Sequence, residues 1–274
     1  MLNPKTPPVW DGTIAAPPRS ALPGIGLIIG VVVAASIAIA VPSQKHWIAA
    51  VLVALAVAAV RLRSVYALHL ALLFSIWMLA VGFIPFLRLW PFRIVVPLAL
   101  YAAVVMCVPA LRRSVGWLRL GTWDLATAAL VAATALLSGA ALVGWVVLYN
   151  PNLEHHLQVL RTVPIWAYPL AAVGFALFNA ALEEVVFRGV MMEALDSALG
   201  EGRASITLQA LSFAAFHYIT GFPNGAVGFL MVAVYGGMLG ILRRRARGLL
   251  APWVAHIAAD AVIFTILAVI LAKA

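Results

Sequence analysis

The chain has 274 residues, 65% of them hydrophobic and 10% charged, and its mean hydropathy is +1.08. Soluble domains carry roughly 25% charged and 45–50% apolar residues, which excludes an ordinary cytosolic enzyme and a disordered chain. The single cysteine, Cys107, excludes a disulfide scaffold. The formal charge of +9 does not point to nucleic acid, because the basic residues fall in short gaps between apolar runs. A binder needs a solvated basic face to neutralise phosphates.

In chain order, residues 1–22 form a polar, proline-rich stretch (Pro4, Pro7, Pro8, Pro17 and Pro18), read as a disordered cytoplasmic tail. Nine apolar segments follow, each near the roughly 20 residues that cross a bilayer core. They run over about 24–41, 46–60, 65–87, 92–111, 125–149, 164–192, 204–219, 225–242 and 249–272. The second and seventh are short, so one of them is a candidate for a tilted or re-entrant helix. The expected fold is all-α, a polytopic transmembrane bundle of 8–9 helices. Residues 23–163 supply helices without a motif, and residues 164–274 carry the chemistry.

The basic residues give an orientation. With the N-terminus inside, 12 of the 18 lysines and arginines fall in inner gaps and 5 in outer ones (Lys45, Arg88, Arg93, Arg161 and Lys273), leaving Arg188 within a helix. An excess of positive charge marks the cytoplasmic side, so nine helices would run N-in, C-out. Tryptophans at 47, 90, 117, 123, 166 and 253 lie near expected helix ends, where the indole N–H stays wet. Gly236 and Gly240 have the small-xxx-small spacing that lets two helices approach closely. His69 is read as an interhelical hydrogen-bonding residue, outside any site.

Three acidic residues, Glu183, Glu184 and Asp260, lie within apolar segments together with Arg188, His217 and His256. A charge at a helix centre costs about 2.5–3.5 kcal/mol on insertion scales, so repeated acceptance of that cost points to chemistry. Glu184 and Arg188 are four apart and share a helix face, while Glu183 points about 100° away. His256 and Asp260 repeat the i, i+4 spacing on the last segment. At 1.5 Å per residue from the inner helix ends, Glu183 lies roughly 14 Å deep, His217 roughly 20 Å, His256 roughly 10 Å and Asp260 roughly 16 Å. Groups on separate helices thus share one slab of the membrane and read as one intramembrane cavity. Carboxylates and imidazoles without a distinctive nucleophilic serine or cysteine suit activation of water, with donors to hold an oxyanion.

Glu183-Glu184-x-x-x-Arg188, Phe213-x-x-x-His217 and His256-x-x-x-Asp260 resemble the three motifs of the CPBP intramembrane proteases. That group, also called the CaaX protease and bacteriocin-processing or Abi family, includes the Rce1-type prenyl-protein endopeptidases. The resemblance implies an intramembrane endopeptidase of the glutamic type, with no required cofactor and a catalytic cavity open toward the cytoplasmic side. It also implies the roles: Glu183 and His217 activate water, Glu184 and Arg188 orient the site, and His256 and Asp260 stabilise the oxyanion. Rce1-type members have asparagine at the last position. Asp260 in that role must be protonated to donate, or else it orients His256.

Three rivals stand beside this reading. The first is a zinc protease with His217, His256 and a glutamate as ligands, against which no His-Glu-x-x-His helix appears. The second is a non-enzymatic immunity factor or scaffold. The third is a proton-coupled carrier, disfavoured by the absence of paired halves. The expected partners are the lipid bilayer and a membrane-associated peptide or protein substrate, and the expected location is the plasma membrane, multi-pass, in a bacterium.

Overall fold

The computed structural model describes residues 22–40, 42–89, 91–219 and 221–273, so the expectations for the tail (1–21) and for Trp90 lie outside the described residues. Among the described residues the architecture is helical throughout, without a strand. The helices are α1 (Leu22–Ala40), α2 (Lys45–Arg61), α3 (Val65–Phe83), α4 (Phe92–Cys107), the short α5 (Pro109–Arg113), α6 (Leu125–Tyr149), α7 (Glu154–Arg161), α8 (Tyr168–Glu184), α9 (Met192–Leu199), α10 (Arg203–His217), α11 (Gly225–Ala246) and α12 (Leu250–Lys273). A π-helical segment, Val185–Met191, joins α8 to α9 without a break.

Several boundaries move from those the hydropathy suggests. The sixth segment continues to Leu199 and ends at Gly200, whose φ of +78° a β-carbon would resist. Glu193 and Asp196, beyond the end of the sixth apolar segment, are therefore helical. The fourth segment breaks at Val108, held extended before Pro109. Five described stretches are long and apolar enough to cross a membrane: α3, α6, Ile165–Leu199, α11 and α12. Shorter apolar helices lie at Pro23–Ala38 and Phe92–Cys107. The chain is a multi-pass membrane protein. Its exposed leucines and valines, such as Leu136, Val147, Leu170 and Val234, suit contact with acyl chains rather than water.

Loop contacts sort the helix ends into two faces. On one face the stretch 119–122 pairs with the α11–α12 turn (Leu249 N to Arg119 O, 2.8 Å; Thr122 N to Ala246 O, 2.7 Å). Arg244 joins Asp196 of α9 and Ser205 of α10, and Arg245 joins Asp124. Asp124 caps α6 by accepting from Thr127 N at 2.6 Å. Its hydrogen bonds to Thr127, aided by Arg245, hold its carboxyl below the usual range. On the other face Lys45 donates to Gly82 O at 3.1 Å, and Phe222 packs on Trp145 and His156. The arginine-rich gaps therefore gather at one end of the bundle.

Two packing relations position the motif helices. A β-carbon at Gly236 would stand 3.1 Å from Ala210 Cα, and one at Gly240 would stand 3.0 Å from Ile206 Cγ2. The small-residue pair of α11 thus seats α10. Trp117 is buried against Gly189 of the π segment rather than lying wet at a helix end, because the absent side chain leaves the indole a flat backbone to cover. Trp47 and Trp166 are exposed at helix ends. His69 ties three elements together, with its Nδ1 2.6 Å from the Tyr101 hydroxyl and its Nε2 3.2 Å from Leu111 O.

Candidate active site

The site forms where α8, the π segment, α10 and α12 meet. Glu184 and Arg188 are 1% and 0% exposed, and Arg188 Nη1 donates to Glu184 Oε1 at 3.1 Å. The π geometry adds a residue to the turn between them, a device found often at functional sites. Arg188 also reaches the Gly236 carbonyl of α11 at 3.4 Å and lies over the Phe213 ring, 4.3 Å from its centroid. The Gly236 carbonyl also accepts from Gln209 at 2.8 Å. The close α10–α11 approach thus brings an acceptor to the guanidinium.

Glu184 Oε1 has a second partner, His256 Nδ1 at 2.8 Å. The imidazole N–H donates there, so Nε2 points the other way, 3.6 Å from Glu183 Oε2 and 3.8 Å from Asp260 Oδ1. His217 is arranged differently. Its Nδ1 lies 2.9 Å from Phe213 O and donates to that carbonyl, leaving Nε2 of the neutral ring as an acceptor. That nitrogen is 3.9 Å from Glu183 Oε2. Glu183 Oε2 is buried and has no hydrogen-bond partner among the described residues. Both imidazole Nε2 atoms stand around it at distances too long for a direct hydrogen bond.

Asn179, one turn before Glu183, was not singled out by sequence. Its amide donates to Glu183 Oε1 at 3.3 Å and to Asp260 Oδ2 at 3.2 Å, bridging two carboxylates on different helices. The available signal was a buried amide four residues before Glu183 in an apolar run. Tyr235 of α11 sets its ring edge-on to His256 at 5.7 Å. Glu183, Glu184, Arg188, His217, His256 and Asp260 thus come together in one cluster, with Asn179 added. Among the described residues no set of three or more His, Cys, Asp or Glu is arranged to hold a metal ion.

Glu183 and His217 also line a cavity of about 540 Å³ whose walls come from α3, α4, the π segment and the end of α10, and which Lys45, Arg88 and Arg93 line as well. These cations lie at the end opposite the arginine-rich loops. The cavity thus extends toward the end that the arginine count places outside, whereas the resemblance implies an opening toward the cytoplasmic side. The Arg188–Gly236, Gln209–Gly236 and Arg244–Asp196–Ser205 hydrogen bonds lie outside its lining.

An all-helical membrane protein with acidic and imidazole groups gathered among its helices is the class that fold and geometry define. Residues 164–262 match the family described as type II CAAX prenyl endopeptidase Rce1-like. The match runs from the start of α8 into α12 and leaves α1 to α7 outside. No curated protein and no solved structure matches the chain.

Proposed function

We propose that the protein is an intramembrane endopeptidase that hydrolyses a peptide bond of a membrane-associated substrate without a metal. The observation that carries this reading is Glu183 Oε2, a buried carboxylate oxygen without a hydrogen-bond partner among the described residues, facing a cavity between two imidazoles. Glu183 takes a proton from water, with the acceptor nitrogen of His217 sharing the load, and the hydroxide adds to the substrate carbonyl. The proton then passes to the leaving amine as the C–N bond breaks.

The oxyanion that forms needs donors. His256 can supply its Nε2–H only as an imidazolium, since its Nδ1–H is committed to Glu184. Glu184 Oε1 lies 2.8 Å from the ring's Nδ1 and Asp260 Oδ1 lies 3.8 Å from its Nε2. Asp260 accepts from Asn179 through Oδ2 and places Oδ1 3.8 Å from His256 Nε2, and it is assigned the orienting role. The plasma membrane of a bacterium is the proposed location.

The test compares membrane peptides, by mass spectrometry, from cells making the wild type and Glu183→Gln. Substrates should accumulate uncut in the variant while the purified variant unfolds at the same temperature as the wild type. Identical peptide sets would exclude the peptidase and favour a scaffold. Cleavage by purified protein should survive exhaustive chelation. Loss on chelation with recovery on Zn²⁺ addition would move His217 and His256 to ligand roles.

A further inference from the structure

The motif residues build only one end of the cavity. The other end belongs to helices outside the family match, with Lys45 opening α2, Arg88 following α3 and Arg93 opening α4. Two of these cations are occupied within the protein. Lys45 donates to Gly82 O at 3.1 Å, and Arg88 donates to Val81 O at 3.2 Å and Gly82 O at 3.0 Å. Both satisfy carbonyls at the end of α3, where cations are favoured.

Arg93 has no such employment. It is half-buried on the cavity wall, and its guanidinium forms no hydrogen bond or ion pair with the described residues. A guanidinium partly withdrawn from water is a fork shaped for a carboxylate, which it grips through two parallel hydrogen bonds. Between Arg93 and Glu183 the walls are apolar, formed by Leu73, Phe74, Trp77, Leu98 and Phe216. The volume is that of a pocket for a short ligand.

Resting on the peptidase reading above, we propose that Arg93 binds a carboxylate of the peptide substrate. The peptide enters at the end of the bundle opposite the arginine-rich loops and lays apolar side chains along α3 and α4 toward Glu183. The carboxylate is either the C-terminus or an acidic side chain, a few residues from the bond that is cut.

The test uses full-length protein carrying Glu183→Gln in phosphatidylcholine nanodiscs, so that binding is read without turnover. Three dansylated peptides are compared by fluorescence anisotropy: Leu-Val-Leu-Ala as the free acid, its C-terminal amide, and the amide of Leu-Val-Leu-Asp. The free acid should bind at least about tenfold more tightly than the plain amide, the ratio that loss of even one charge-assisted hydrogen bond of the pair produces. Tight binding of the aspartyl amide as well extends the site to side-chain carboxylates, and its weak binding restricts the site to the C-terminus. Adding Arg93→Gln should bring the acid down to the amide, while Arg93→Lys keeps part of the preference. Equal binding of all three peptides overturns the proposal, whether no site exists or a lipid headgroup holds Arg93. A preference that survives Arg93→Gln, or no binding at all, also overturns it. A carboxylate preference in a protein that cleaves nothing would instead remove the peptidase and leave the site.

Discussion

His256 Nδ1 lies 2.8 Å from Glu184 Oε1, the same oxygen that accepts from Arg188 Nη1 at 3.1 Å. One carboxylate oxygen at the end of α8 thus joins the π segment to α12, 72 residues further along the sequence from Glu184. Its two donors fix both the rotamer of Glu184 and the ring orientation of His256. The neighbouring Glu183 takes no part and stays turned toward the cavity.

Removing one partner of this pair should cost more than removing both. Arg188→Leu leaves Glu184 buried beside His256 alone, and breaking a buried pair in this way costs about 3–5 kcal/mol. The double variant Glu184→Gln with Arg188→Leu should recover much of that stability, because no net charge is then left without its partner, yet it should remain inactive because His256 loses its anionic acceptor. Thermal unfolding in detergent, with peptide cleavage alongside, checks both halves. A double variant as unstable as the single one contradicts the coupling.

Asn179 should act on rate rather than on folding. Asn179→Ala removes the donor shared by Glu183 and Asp260, and the lost hydrogen bonds to charged groups correspond to about tenfold or more in kcat. KM should change little, because the amide faces the carboxylates rather than the cavity walls. Asn179→Asp puts an acceptor in the donor's place and should be worse than alanine at neutral pH, improving as the pH falls. Equal kcat for wild type and both variants would reduce Asn179 to a packing residue.

Two adjacent glycines of α11 give a matched pair. A β-carbon at Gly236 meets Ala210 and Phe213 at 3.1–3.2 Å, whereas one at Gly237 meets nothing within 4 Å. Gly236→Ala should destabilise by about 1–3 kcal/mol, the usual cost of overpacking, and should lower activity by displacing the helix that carries His217. Gly237→Ala should be neutral or stabilising by up to about 1 kcal/mol, the helix-propensity gain. Unfolding midpoints of the two proteins decide it, and equal midpoints would show that α10 does not depend on this contact.

The sequence by itself determined the local half of this protein. Hydropathy marked the apolar helices, and the i, i+4 spacing put Glu184 with Arg188 and His256 with Asp260 on shared faces. Those relations repeat with the 3.6-residue turn and can be read along one strand of text. The small-residue spacing of Gly236 and Gly240 likewise announced a close contact, though not its partner. Tertiary structure alone decided that Glu184 faces His256, that Asn179 bridges Glu183 to Asp260, and that the π segment extends the sixth span to Leu199. It alone placed Arg93, from a helix without a motif, on the same cavity as Glu183. Pairings between helices depend on rotation, depth and crossing angle, which the packing of the whole bundle sets and no periodicity within one helix encodes.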